Sequence, residues 1–150
     1  MKRLLLVLLS LVPLAAFAQV PPRYVAKFVC GKATPVEFQS GAVAPGTYFT
    51  AINAHNITGN ATANLRKRFA AGQISEKVGR VSDFVSVSIP AGNTILIDCR
   101  DILGRLGSPS FAEGTVEIFS NVDLDVIGVY TTLGTSGQVT TMELDRVPKH

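Results

Sequence analysis

From residue 24 to residue 146 the chain carries short runs in which apolar and polar side chains alternate, a period of two that marks strands with one buried face. The pattern predicts strands over Tyr24–Cys30, Gly46–Asn53, Asn64–Ala70, Asp83–Ile89, Thr94–Cys99, Gly114–Ser120, Leu124–Thr132 and Val139–Arg146. Gly, Pro and Asn clusters separate these runs, and no long segment has apolar residues at helical spacing. The best helical stretch is Asp101–Leu106, a short turn with Asp101 as its cap and Gly107 as its stop. Such spacing predicts an all-β fold: an antiparallel β-sandwich of about seven or eight strands with one short helical turn.

Alternation also assigns faces. Ala26, Phe28 and Cys30 share one side of their strand with Lys27 opposite, and Ile95, Ile97 and Cys99 share one side of theirs. Leu124, Val126 and Tyr130 form an inward row against Asp125 and Val129. Met142 and Leu144 are expected inside, Glu143 and Asp145 outside. Pro90-Ala-Gly-Asn93 reads as a turn that pairs its flanking strands as a hairpin, and Gly134–Gly137 as a second hairpin turn. Residues 31–45 read as a long connection and Gly72–Ser82 as a mobile loop.

The first eighteen residues change the picture. Lys2 and Arg3 precede the apolar run Leu4–Phe17, and Ala16-Phe17-Ala18 has the small-x-small form of a signal peptidase site, with Gln19 next. Residues 1–18 are expected to be a cleaved signal peptide, too short for a membrane span, and residues 19–150 a single β-sandwich domain. No later run is long enough to cross a bilayer, and the residues before Cys30 do not suit lipid attachment. The protein is therefore expected to be exported, periplasmic or extracellular. Loss of Lys2 and Arg3 leaves 12 basic residues against 11 acidic, so the net charge falls from +3 to +1. That near-balance removes the main argument for a nucleic-acid or general polyanion partner.

Cys30 and Cys99 are the two cysteines. Both fall on apolar strand faces in an exported chain, so a disulfide between them is expected. A redox pair would favour Cys-x-x-Cys spacing, and a zinc site would need more ligands than His55 and His150 offer. No cofactor or metal site is indicated. Asn121-Val-Asp123-Leu-Asp125 has Val126 where a calcium loop needs Gly and Thr132 where it needs Glu. His55 reads as a hydrogen-bonded histidine at a strand end.

Asp98, Asp101, Glu113 and Glu117 are the acids a hydrolase would draw on, but nearness in sequence does not set the separation such chemistry requires. Helix capping, or pairing with Arg100 or Arg105, is the simpler reading of Asp98 and Asp101. Arg66-Lys67-Arg68 is the sharpest basic cluster and would suit phosphate or acidic sugar. Three neighbours on a strand alternate between faces, however, so a charged edge strand is the more economical reading. Asn56-Ile-Thr58 and Asn60-Ala-Thr62 match the N-glycosylation pattern, read as polar loop residues in a bacterial host. The chain has no Trp, and Tyr24, Tyr48 and Tyr130 look core-facing, which does not favour glycan binding.

Several phrases carry a resemblance. They are Phe28-Val-Cys-Gly31, Pro45-Gly-Thr-Tyr-Phe-Thr-Ala-Ile-Asn-Ala-His-Asn56, Pro90-Ala-Gly-Asn-Thr-Ile-Leu-Ile-Asp-Cys99, Gly114-Thr-Val-Glu-Ile-Phe-Ser120, Leu124-Asp-Val-Ile-Gly-Val-Tyr-Thr131 and Met142-Glu-Leu-Asp-Arg-Val-Pro148. Together they resemble a group of exported bacterial β-sandwich proteins. More distantly, the order of strand, Asn loop, Pro-Ala-Gly turn and late apolar strand is similar to the soluble transducer of microbial sensory rhodopsins. That family is cytoplasmic, and the resemblance implies an oligomeric β-sandwich binding module without transferring any site residue. The function expected is a non-enzymatic binding or interaction module for a protein or envelope ligand. The loops after Cys30 and around 54–62 are the candidate surfaces, and the ligand is unknown. The alternatives are a self-associating homo-oligomeric surface component, or an envelope-polymer hydrolase using Asp98, Asp101 or Glu113.

Overall fold

A computed structural model of the chain describes residues 23–36, 43–73, 77–108 and 110–150, with the backbone alone for 141–145. The signal segment lies outside these residues, as do the side chains of Met142, Glu143, Leu144 and Asp145. The strands are β1 (Arg23–Lys32), β2 (Gly46–His55), β3 (Ala63–Gly72), β4 (Val78–Val81), β5 (Val85–Ile89), β6 (Thr94–Asp98), β7 (Phe111–Ser120), β8 (Asp125–Gly134) and β9 (Val139–Arg146). Helix α1 (Cys99–Leu106) follows β6.

All pairings are antiparallel and form one folded-over sheet in the order β4-β3-β7-β1-β2-β8-β9, with β5 beside β3 and β6 beside β2. β1 pairs with β7 from Arg23 to Gly31, then meets β2 at Gly31 and Lys32. From Ala51 onward β2 takes β6 as its neighbour on that side. The sheet thus divides at the β1–β2 fork into two layers that close on one core, the all-β sandwich the alternation implies. Tyr24, Ala26, Phe28, Leu65, Phe69, Val116 and Ile118 come from one layer, and Ile52, Ala54, Ile97 and Val126 from the other. α1 adds Ile102 and Leu106.

The fork needs special chemistry, because strands that part leave backbone groups without ladder partners. Thr50 replaces part of the ladder: its Oγ1 accepts from the Val29 amide at 2.9 Å and donates to the Val29 carbonyl at 2.9 Å. The Thr50 amide donates to Cys99 Sγ at 3.0 Å. Cys99 is bonded to Cys30, with their Cα atoms 5.3 Å apart, so the expected disulfide sits in the fork itself. Gly31 is required at the bend. Its φ is 94°, and a Cβ there would lie 2.0 Å from the Ser110 carbonyl oxygen.

Several local expectations need correction. Asp98, not Asp101, caps α1, its side chain accepting from the Asp101 amide; Gly107 does end the helix, in the left-handed conformation. β5 and β6 do not pair as a hairpin, because the Pro90–Asn93 turn carries the chain from one layer to the other. The Gly72–Ser82 segment contains β4, paired to β3 through Ala70–Val81 and Gly72–Val78. β3 is not an edge: β7 lies on one side and β4 and β5 on the other. The Gly134–Gly137 hairpin forms as expected between β8 and β9.

Asn56 is fully buried and is no surface sequon. Its Nδ2 donates to the carbonyls of Ala61 (2.8 Å) and Ile89 (2.9 Å), and its Oδ1 accepts from the Thr58 amide and hydroxyl. Its backbone bonds Asn93 and Gly92 in the crossing turn. Asn56→Ala removes the donor to the buried Ile89 carbonyl and the acceptor of the Thr58 amide, leaves the Ala61 carbonyl only the Thr58 hydroxyl, and should cost about 2 kcal/mol. Urea unfolding checks this, and a loss under about 0.5 kcal/mol would show the amide to be dispensable.

Candidate functional site

Two outward sheet faces stand out, one cationic and aromatic, the other apolar. On the first, β3, β7 and β1 lie side by side, and their register places Arg66 opposite Phe119, Phe119 opposite Arg23, and Arg68 opposite Glu117. Phe84, from the β4–β5 connection, meets the Arg66 guanidinium at 5.1 Å and that of Arg68 at 4.8 Å. It lies edge-on to Phe119 at 5.8 Å, and Arg23 stacks over Phe119 at 5.5 Å. Such contacts hold a guanidinium against a ring without neutralising it.

Glu117 is the acid at the centre of this face, accepting from Arg68 Nε at 2.6 Å and from Arg23 Nη2 at 2.5 Å. The Arg68 hydrogen bond holds its carboxyl below the ordinary 4.5; burial opposes this, and Arg23 adds to it. Among the described residues no carboxylate pairs with Arg66. Beside Arg66 runs a groove of about 320 Å³ lined by Asn64, Ser86, Ser88, Phe119 and Asn121. Alternation does set Arg66 and Arg68 on one face, with Lys67 turned inward. The sequence reading missed Arg23, Phe84 and Phe119, which cross-strand register and the β4–β5 connection deliver. The only sequence signal for them is the shared outward phase of Arg66, Arg68, Glu117 and Phe119.

The second face is the outside of β6-β2-β8-β9. Phe49 and Leu96 are 49% and 57% exposed, and Leu133 and Val139 are 36% and 73% exposed. Ala51, Val129 and Ile127 lie among them in register, with Thr47, Asn53 and Thr131 interspersed. A groove of about 430 Å³ crosses this face, bounded by Phe49, Ala51, Val129, Asp98 and Arg100.

The acids considered for hydrolysis do not converge. Asp98 caps α1, and Asp101 pairs with Lys67 and, at 3.7 Å, with Arg105. Glu113 lines a different groove with Lys77 and Arg80. Asp123 and Asp125 pair with Lys149 and Arg146. No group of three or more His, Cys, Asp or Glu among the described residues is arranged to hold a metal ion. His55 is half-buried at the end of β2, opposite Asp125 and Thr94. The 54–62 loop is closed by Asn56 and exposes Ile57 and Asn60, while much of the loop after Cys30 lies outside the described residues. Tyr24, Tyr48 and Tyr130 are buried, and burial raises the Tyr24 and Tyr48 hydroxyls above 10.0.

The fold defined by these layers is an antiparallel β-sandwich with a disulfide-closed fork. It is similar to the crystal structure of Thermotoga maritima 1070, with a TM-score of 0.56 and 14% identity over 87% of this chain and 95% of that one. At that identity the likeness shows the fold alone. No family model matches the chain, and the search of curated proteins finds no significant sequence match.

Proposed function

We propose that this chain is an exported, non-enzymatic interaction module that holds a protein partner against the apolar outer face of β6, β2, β8 and β9. The observation behind the proposal is the exposure of Phe49, Leu96, Leu133 and Val139 on a sheet whose opposite face already fills the core. Apolar residues gathered on one surface of a soluble domain favour a contact. The leader-like segment and the Cys30–Cys99 bond support export. Among the described residues no helix is long and apolar enough to cross a membrane. The structural engagement of Asp98 and Asp101 supports a non-enzymatic role.

The test is capture of partners from the native envelope with the mature chain and with Phe49→Asp/Leu96→Asp, each first shown to be folded by circular dichroism. Loss of the captured protein in the variant supports the proposal, and undiminished capture overturns it. β9, an outer strand of eight residues, favours a second reading in which another copy of the chain is the partner. Light scattering separates the two, because self-association gives a mass above the monomer that the double variant restores to monomer.

A further inference from the structure

We infer that the groove beside Arg66 is a binding site for a phosphate-bearing ligand, independent of the apolar face. Charge on this face is not evenly balanced. Arg23 and Arg68 share Glu117, whereas Arg66 is held on the Phe84 ring and among the described residues has no carboxylate partner. A guanidinium fixed in this way keeps its fork of N–H donors for an external oxyanion.

The groups around Arg66 are polar and partly fixed by bonds to one another. Ser88 Oγ donates its one proton to Asn64 Oδ1 at 2.8 Å, which turns the Asn64 NH2 away from Ser88 and leaves Ser88 as an acceptor. Asn121 Oδ1 accepts from the Asn64 backbone amide at 2.7 Å and its Nδ2 donates to the Thr62 carbonyl at 3.5 Å, which leaves one N–H to offer. Ser86, opposite Arg66 in the β3–β5 register, adds a hydroxyl. The groove thus sets one unneutralised guanidinium beside the second Asn121 N–H and the Ser86 hydroxyl. A cation is repelled by the Arg66 charge and a neutral saccharide does not neutralise it, so neither matches. A tetrahedral anion with several oxygens does. The +1 net charge of the processed chain had argued against anionic partners, but a whole-chain sum averages away a local concentration of this kind.

Phosphate chemistry can come from a soluble phosphoester or from a lipid headgroup, and the groove lies open on a sheet face that either can approach. The experiment titrates the mature chain with inorganic pyrophosphate, following backbone amides by NMR. In parallel, it is sedimented with phosphatidylcholine vesicles with and without phosphatidylglycerol. The site predicts shifts centred on Arg66, Ser86, Ser88 and Asn121, and binding weakened at least about tenfold by Arg66→Gln. Lys32→Gln, which removes an exposed cation at the far end of β1, should leave binding unchanged. Sedimentation only with phosphatidylglycerol assigns the headgroup as the source, and pyrophosphate binding without sedimentation assigns a soluble phosphoester. Absence of both, equal weakening by the two substitutions, or equal competition by acetate overturns the inference.

Discussion

Replacing both cysteines, Cys30→Ala with Cys99→Ala, is expected to lower the unfolding free energy by more than about 4 kcal/mol. The bond spans 69 positions, and opening it returns the entropy of that closed loop to the unfolded chain. A second contribution is local. Cys99 Sγ accepts the Thr50 amide where β1 and β2 part, and alanine leaves that amide without its acceptor. The loss should therefore exceed what loop closure alone predicts, and exchange of the Thr50 amide should accelerate more than that of amides in β8. Urea unfolding of the double variant against the oxidised protein measures the total. A difference under about 1 kcal/mol would mean that the fork is held by packing alone.

The second large effect is asymmetric. Lys67 is 6% exposed on the inward side of β3; its ammonium meets Asp101 of α1 and lies 5.4 Å from the Phe69 ring. Asp101→Asn removes the counter-charge and leaves a buried cation, which should cost about 3 kcal/mol; the partial exposure of Asp101 keeps the loss at the low end of the range for broken buried pairs. Lys67→Met keeps most of the volume and removes the charge, so it should lie within about 1 kcal/mol of the parent protein. Asp101→Asn added to Lys67→Met should then cost little more. Equal losses from the two single substitutions would show instead that the pair itself stabilises the helix–sheet contact.

These expectations show where sequence was sufficient. Alternation put Ala26, Phe28, Cys30, Ile97 and Val126 inside, because a period of two survives whatever the strand pairs with. The same logic put Lys67 opposite Arg66 and Arg68, yet it could not tell that this strand is interior, so the inward lysine read as an edge charge. The Pro90–Asn93 turn has the chemistry of a hairpin whether or not its flanks pair. The deciding contacts are the bonds from Asn56, more than thirty positions away in the case of the Ile89 carbonyl. The cap moved from Asp101 to Asp98 because the helix starts at Cys99, two residues earlier than the apolar pattern suggests. The cationic face was hidden for the same reason as the crossing turn: Arg23 and Phe119 become neighbours of Arg66 only through the register of three strands.

The buried Asn56 amide also bears on the choice of production host. In a eukaryotic secretory pathway an oligosaccharide is added to Asn-x-Thr while the chain is still unfolded, before any turn has closed over it. A sugar on Asn56 would occupy the Nδ2 that must later hold the Ala61 and Ile89 carbonyls, and the finished fold has no room for it. One on Asn60, at the exposed tip of the same loop, would be harmless. Yield there would be set by a race between folding and modification at one side chain, and a bacterial host avoids the contest.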